Sequence, residues 1–121
     1  MTAKGDSPAD VAMSVEAAYA RCEKITRVQA KNFAYGIRLL PGPKRQALSA
    51  VYALARRVDD VGDGELPVPE KLAGLDRIRT ELRSIQDETE DAVLIAVRDV
   101  AARYPLPLGA FEELIEGCEM D

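Results

Sequence analysis

The chain has 121 residues, 47% hydrophobic and 31% charged, with 16 Lys and Arg against 21 Asp and Glu for a net charge of −5. That length suits one domain or part of one, able to bury roughly two thirds of the surface its unfolded chain exposes, and the balance is that of a folded chain, not a disordered one. Basic residues read as scattered within an acidic total argue against a nucleic-acid partner. The absence of histidine excludes Ser-His and Cys-His nucleophiles, HExxH metal sites and imidazole acid-base chemistry within these residues.

No apolar run approaches the roughly 18 residues of a transmembrane segment, and the N-terminus lacks a basic-then-apolar signal, so a cytoplasmic location is expected. Cys22 and Cys118 form neither a CxxC nor a metal spacing and read as small core residues.

Met1 to Asp6 are small and polar and are expected to be frayed. Ser7-Pro8-Ala9-Asp10 then reads as a helix start, with Ser7 as N-cap and Pro8 in the first helical position. The helix is expected to run into the Val28 region with Val11, Val15, Tyr19, Cys22 and Ile25 as its apolar stripe. Gln29 to Pro41 reads as a shorter helix whose Phe33, Ile37 and Leu40 pack inward, leaving Lys31 and Asn32 as candidates to face an anionic substrate.

Pro41-Gly42-Pro43 primes the next element, over Pro43 to Val61, with Leu48, Val51, Leu54, Ala55, Val58 and Val61 as its buried face. At about 100° per residue, Tyr52, Arg56, Asp59 and Asp63 fall in a sector roughly 40° wide beside that face. Carboxylates one turn apart repel, and acids at a helix C-terminus oppose the macrodipole. A divalent cation would remove both conflicts, and an oxygen-only pair suits Mg²⁺, which keeps most of its waters. Spacing alone leaves this reading and a solvated helix end, stopped by Gly62 and Gly64, equally open.

A Pro-rich loop, Gly64 to Pro69, leads to a helix over Glu70 to about Gln86 with Leu72, Leu75, Ile78, Leu82 and Ile85 inward. Thr89 is the expected cap of the next helix, with Glu90 and Asp91 in its first turn, running to about Arg103. After Tyr104-Pro105-Leu106-Pro107 a last helix starts at Leu108 and carries Phe111, Leu114, Ile115 and Cys118. The chain stops mid-stripe at Asp121 without a C-cap, as expected for a chain that continues. No alternating strand pattern or internal repeat is present, so the expected fold class is all-α.

Read together, Asn32-Phe33-Ala34-Tyr35-Gly36, Leu39-Leu40-Pro41, Lys44-Arg45 and Ala50 to Asp63 (Ala-Val-Tyr-Ala-Leu-Ala-Arg-Arg-Val-Asp-Asp-Val-Gly-Asp) resemble the squalene/phytoene synthase family. The likeness runs from about Ala18 to Asp121, and its wording around Asn32 to Leu40 is similar to the bacterial branch making presqualene diphosphate or squalene for hopanoids. The resemblance implies the N-terminal portion, residues 1–121, of a single isoprenoid synthase-type helical bundle. Its implied activity is head-to-head condensation of two prenyl diphosphates, farnesyl diphosphate first among them. Two aspartate-rich motifs would hold Mg²⁺ against the substrate diphosphate. Asp59, Asp60 and Asp63 match the first as metal ligands, Asp59, Asp63 and Arg56 as the catalytic set, and Arg56, Tyr52, Phe33 and Asn32 as substrate contacts.

Two departures stand out. Ala30 replaces a small hydroxyl residue of many relatives, and no second aspartate-rich helix occurs before Asp121, so residues 1–121 alone are expected to show no turnover. The product, among phytoene, dehydrosqualene, squalene and presqualene diphosphate, and any use of NADPH are not fixed by these residues. Greasy products would suit a peripheral membrane contact, although no basic amphipathic helix stands out. The competing class is a non-catalytic assembly protein of the same fold, against which Arg56, Asp59, Asp60 and Asp63 are all retained. Arg57 reads as a surface ion-pair partner, and Lys44 and Arg45 as solvated near a helix start.

Overall fold

A computed structural model describes residues 13–120. Among these, six α-helices and no strand are present: α1 (Val15–Gln29), α2 (Lys31–Ile37), α3 (Gly42–Gly62), α4 (Val68–Arg83), α5 (Ala92–Arg103) and α6 (Leu108–Met120). The all-α expectation holds.

The helix ends follow local chemistry. Ser14, outside the helix in extended backbone, caps α1 by accepting the Ala17 N–H at 3.0 Å. The expected start at Ser7-Pro8 lies outside the described residues, but one unbroken helix from there is corrected, because Met13 and Ser14 are non-helical. Pro41 and Pro67 precede α3 and α4, each with a further proline in the first turn, where no intrahelical N–H is needed. The expected Thr89 cap of α5 is also corrected. Asp91 is the N-cap, accepting from Val93 and Leu94 N–H, while the Thr89 hydroxyl accepts from the Asp91 N–H itself.

α1, α3 and α5 make the centre of the core: Ala18, Tyr19 and Cys22 meet Ala50, Ala53, Leu54 and Val58, and both meet Val93 to Val97 and Val100. Five successive residues of α5 are buried, the pattern of a helix enclosed on most sides. Leu54, Val58 and Val97 are fully buried, each worth about 1.5–3 kcal/mol relative to exposure. α4 and α6 close one side through Leu75, Ile78, Leu82, Phe111 and Ile115, and are tied by Arg79–Glu119 and Arg83–Glu112 ion pairs at 2.8 Å.

Helix α3 contacts each of the other five helices. Its inward face is rotated from the expected stripe, since Ala50 and Ala53 are buried whereas Leu48 is 38% exposed. The shift has a steric reason: small residues let α1 and α5 approach the α3 backbone closely.

Three smaller expectations are corrected. Phe33 does not enter the core and is 40% exposed; of the others expected inside, Ile37 of α2 is buried and Leu40, beyond the helix, is half-buried. Leu72 is exposed. Arg45 is not simply solvated, because it is half-buried, ion-paired to Glu23 at 3.2 Å and donates to the Leu40 carbonyl. Basic residues are also not scattered. Seven lie between Arg21 and Arg45, against the single acid Glu23. Cys22 is buried, which pushes its thiol up to about 11, and Cys118 packs half-buried against the core.

Candidate functional site

The last turns of α3 carry the residues singled out by the sequence. Phe33, from α2, stacks on Tyr52 with ring centroids 5.7 Å apart and an interplanar angle of 28°. Its missing burial is thus explained: the ring faces Tyr52 on the α3 face that also bears Arg56, one turn further on. Asn32 is exposed beside Phe33.

Arg56 Nε lies 3.0 Å from Asp60 Oδ1 in an i,i+4 ion pair. The Nε is shielded from solvent, while the Arg56 side chain as a whole is 41% exposed. Asp60's negative charge, opposed by desolvation and assisted by Tyr52, raises the Arg56 pKa above its already high ordinary value, so the guanidinium is a permanent cation.

Asp59 and Asp63 are exposed, and Asp63 closes the helix: its N–H donates to the Asp59 carbonyl at 2.7 Å while its backbone stays right-handed. The helical spacing therefore carries through Asp63, and the two carboxylates keep one face. Among the described residues their side chains make no hydrogen bond or ion pair, and no three acidic or sulfur side chains converge as a ready metal cluster. An exposed oxygen pair without protein partners fits a hydrated Mg²⁺ that takes its remaining ligands from phosphate oxygens. The exposed part of the Arg56 guanidinium fits phosphate oxygens as an acceptor of the same kind.

Two supports of this turn were not found as site features in the sequence. Asp91 binds both Arg57 terminal nitrogens at 2.9 Å while capping α5, so four N–H groups converge on one carboxylate. Burial pushes the Asp91 pKa up, but the Arg57 fork and the two backbone donors outweigh it, and the net shift is downward. Arg57 itself was legible as an ion-pair partner; the identity of its acid, 34 residues away, was not. The second support is Gly62. It is buried, and a Cβ there would stand 2.5 Å from Cys118 Sγ of α6.

The described residues thus form an all-helical bundle whose central helix ends in Arg-x-x-Asp-Asp-x-x-Asp, with an aromatic pair alongside. Residues 26–121 match the squalene/phytoene synthase family, and the chain belongs to that family. It is 55% identical over 107 residues to the phytoene synthases of Mycobacterium bovis and Mycobacterium tuberculosis, covering 88% of this chain and 35% of each relative. It is 39% identical over 115 residues to 15-cis-phytoene synthase of Synechococcus elongatus, covering 94% of this chain and 37% of that protein. The chain thus spans about a third of the length of these relatives. The family is one of prenyltransferase-type enzymes that use a divalent metal.

Proposed function

We propose that this chain supplies one wall of a Mg²⁺-dependent site that joins two prenyl diphosphates head to head. The carrying observation is the Arg56 guanidinium, paired with Asp60 at 3.0 Å and 41% exposed, beside an exposed Asp59–Asp63 carboxylate pair that has no partner among the described residues. Asp59 and Asp63, with Asp60 next to them, would hold the metal, which when bound neutralises charge on a leaving diphosphate. Arg56 gives the same oxygens a fixed cation, and its pairing with Asp60 keeps it near them until substrate arrives. Tyr52 and Phe33 present aromatic surface to the prenyl chain, where they exclude water and face an allylic cation with their π-systems. Asn32 is placed at the same edge of α2. No proton transfer by these residues is required, in keeping with a chain that has no histidine.

The prenyl donor is read from the relatives' names. Those quoted above are phytoene synthases, which favours geranylgeranyl diphosphate and a carotenoid precursor over the farnesyl diphosphate, presqualene diphosphate and hopanoid reading of the sequence. The non-catalytic alternative is disfavoured by the retained arginine and aspartates.

Calorimetric titration of farnesyl and geranylgeranyl thiodiphosphates, with and without Mg²⁺, tests the site. Asp59→Asn or Asp63→Asn is expected to abolish the Mg²⁺-dependent part of binding, and Arg56→Lys to weaken it at least tenfold through loss of the planar donor set. Binding that ignores Mg²⁺ and both aspartates would return this end of α3 to the solvated-surface reading.

A further inference from the structure

Between Arg21 and Arg45, Glu23 is the single acid, and its carboxylate is already engaged by Arg45 at 3.2 Å. Arg21, Lys24, Arg27, Lys31, Arg38 and Lys44 are all exposed. Within the same stretch Val28 is 61%, Tyr35 67% and Leu39 82% exposed. Arg27, Lys31, Ala34, Tyr35 and Arg38 line one shallow groove where α1 meets α2, and the Arg38 guanidinium lies 4.2 Å from the centroid of the Tyr35 ring. A chain of net charge −5 thus places seven of its 16 basic residues around the exposed Val28, Tyr35 and Leu39.

We propose that this α1–α2 face docks on a bilayer bearing anionic headgroups. Cationic side chains with long aliphatic stems set their heads at the phosphate level, while Leu39, Val28 and the Tyr35 ring enter the acyl boundary. Polynucleotide fits less well. Its bases need open aromatic faces, yet the Tyr35 ring is overlaid by Arg38, and the most exposed group of the patch is Leu39. A second copy presenting the same cations would repel the first.

The purpose of docking rests on the prenyltransferase reading. Phe33 and Tyr35 point about 160° apart around α2, and Phe33 stacks on Tyr52 beside the candidate site. One short helix therefore meets the bilayer on one side and lines the site on the other. A prenyl diphosphate held in lipid would reach Arg56 without its chain crossing water.

The test is co-sedimentation of the full chain with phosphatidylcholine vesicles, with and without phosphatidylglycerol, in the absence of Mg²⁺ and substrate. Binding to the anionic vesicles alone, weakening as salt rises, is expected. Near an anionic surface each basic residue contributes about a fivefold gain in partition, so Arg27→Gln with Arg38→Gln should lower it about 25-fold. Leu39→Ser should weaken binding at every salt concentration. Both variants change exposed side chains, and unchanged far-UV circular dichroism checks that they fold. Equal binding to neutral and anionic vesicles, or variants that bind like the parent, overturns the proposal. So does self-association broken by Leu39→Ser, or RNA binding lost in the arginine variant while vesicles are ignored. Mg²⁺-dependent thiodiphosphate binding is read separately; its failure with vesicle binding intact would remove the catalytic reading and leave the docking surface standing.

Discussion

Gly62 sits between Asp59 and Asp63 and packs directly against Cys118 of α6. Because a Cβ would lie 2.5 Å from Cys118 Sγ and 2.8 Å from its Cβ, Gly62→Ala must push the helices apart. A cost of about 1–3 kcal/mol follows from overpacking of this kind. Urea unfolding is expected to show it, and Gly62→Ala combined with Cys118→Ala should recover part, since the second change removes the sulfur. An unchanged midpoint in the single variant would mean α6 can give way freely. Gly64 is constrained differently, by the Asp60 carbonyl 2.7 Å from where its Cβ would be. In the sequence both glycines read as helix stops. That was right for position, but the contact that requires Gly62 comes from a residue far along the chain.

At the scale of elements, α3 and α5 are fastened by one carboxylate. Asp91 caps α5 and receives the Arg57 fork, which fixes how α3 is rotated and hence where Arg56, Asp59 and Asp63 point. Asparagine caps about as well as aspartate, whereas alanine does not cap. Asp91→Asn should therefore cost only the partly exposed ion pair, within about 1 kcal/mol, and Asp91→Ala about 1 kcal/mol more. The pH dependence separates the two terms. Asp91 is lowered from its ordinary value of 3.8, so the pair's contribution is fully present above that value and fades as pH falls through the folded-state value. The stability gap between parent and Asp91→Asn, measured by urea titration, should be constant near neutrality and shrink in acid; a gap that does not change with pH would point to packing instead. A comparable tie joins α1 to α5. Tyr19 donates to Asp99 at 2.6 Å and Arg103 pairs with the same oxygen, and with burial first and the Asp99 bond second the phenol is pushed up to about 12.

The whole molecule is arranged about α3, which touches all five other helices. Leu54, fully buried between α1 and α5, is the residue through which that arrangement can be tested. Leu54→Ala is expected to cost about 3 kcal/mol by combining lost transfer energy with a cavity that surrounding helices fill incompletely. Thermal unfolding should report it as one cooperative transition moved to lower temperature. Survival of two separate transitions would show that α4 and α6 fold independently of the α1, α3 and α5 centre. Charge divides at this scale too. The positive stretch lies at the α1–α2 side, and the unpartnered carboxylates at the far end of α3.

The number, order and approximate limits of the helices were legible in the sequence because apolar residues at steps of three and four, with Pro, Ser, Asp and Gly at the breaks, are local signals. The clustering of Tyr52, Arg56, Asp59 and Asp63 was legible for the same reason, since helical geometry places residues of one element on one face. Other features depended on residues distant in the chain, and only the tertiary structure decided them. Phe33 left the core because Tyr52 offered its ring a partner. Asp91 displaced Thr89 as a cap where its carboxylate could also hold Arg57. Spacing along one chain fixes faces; which face meets which neighbour is settled by packing between elements, and that information is shared among all of them.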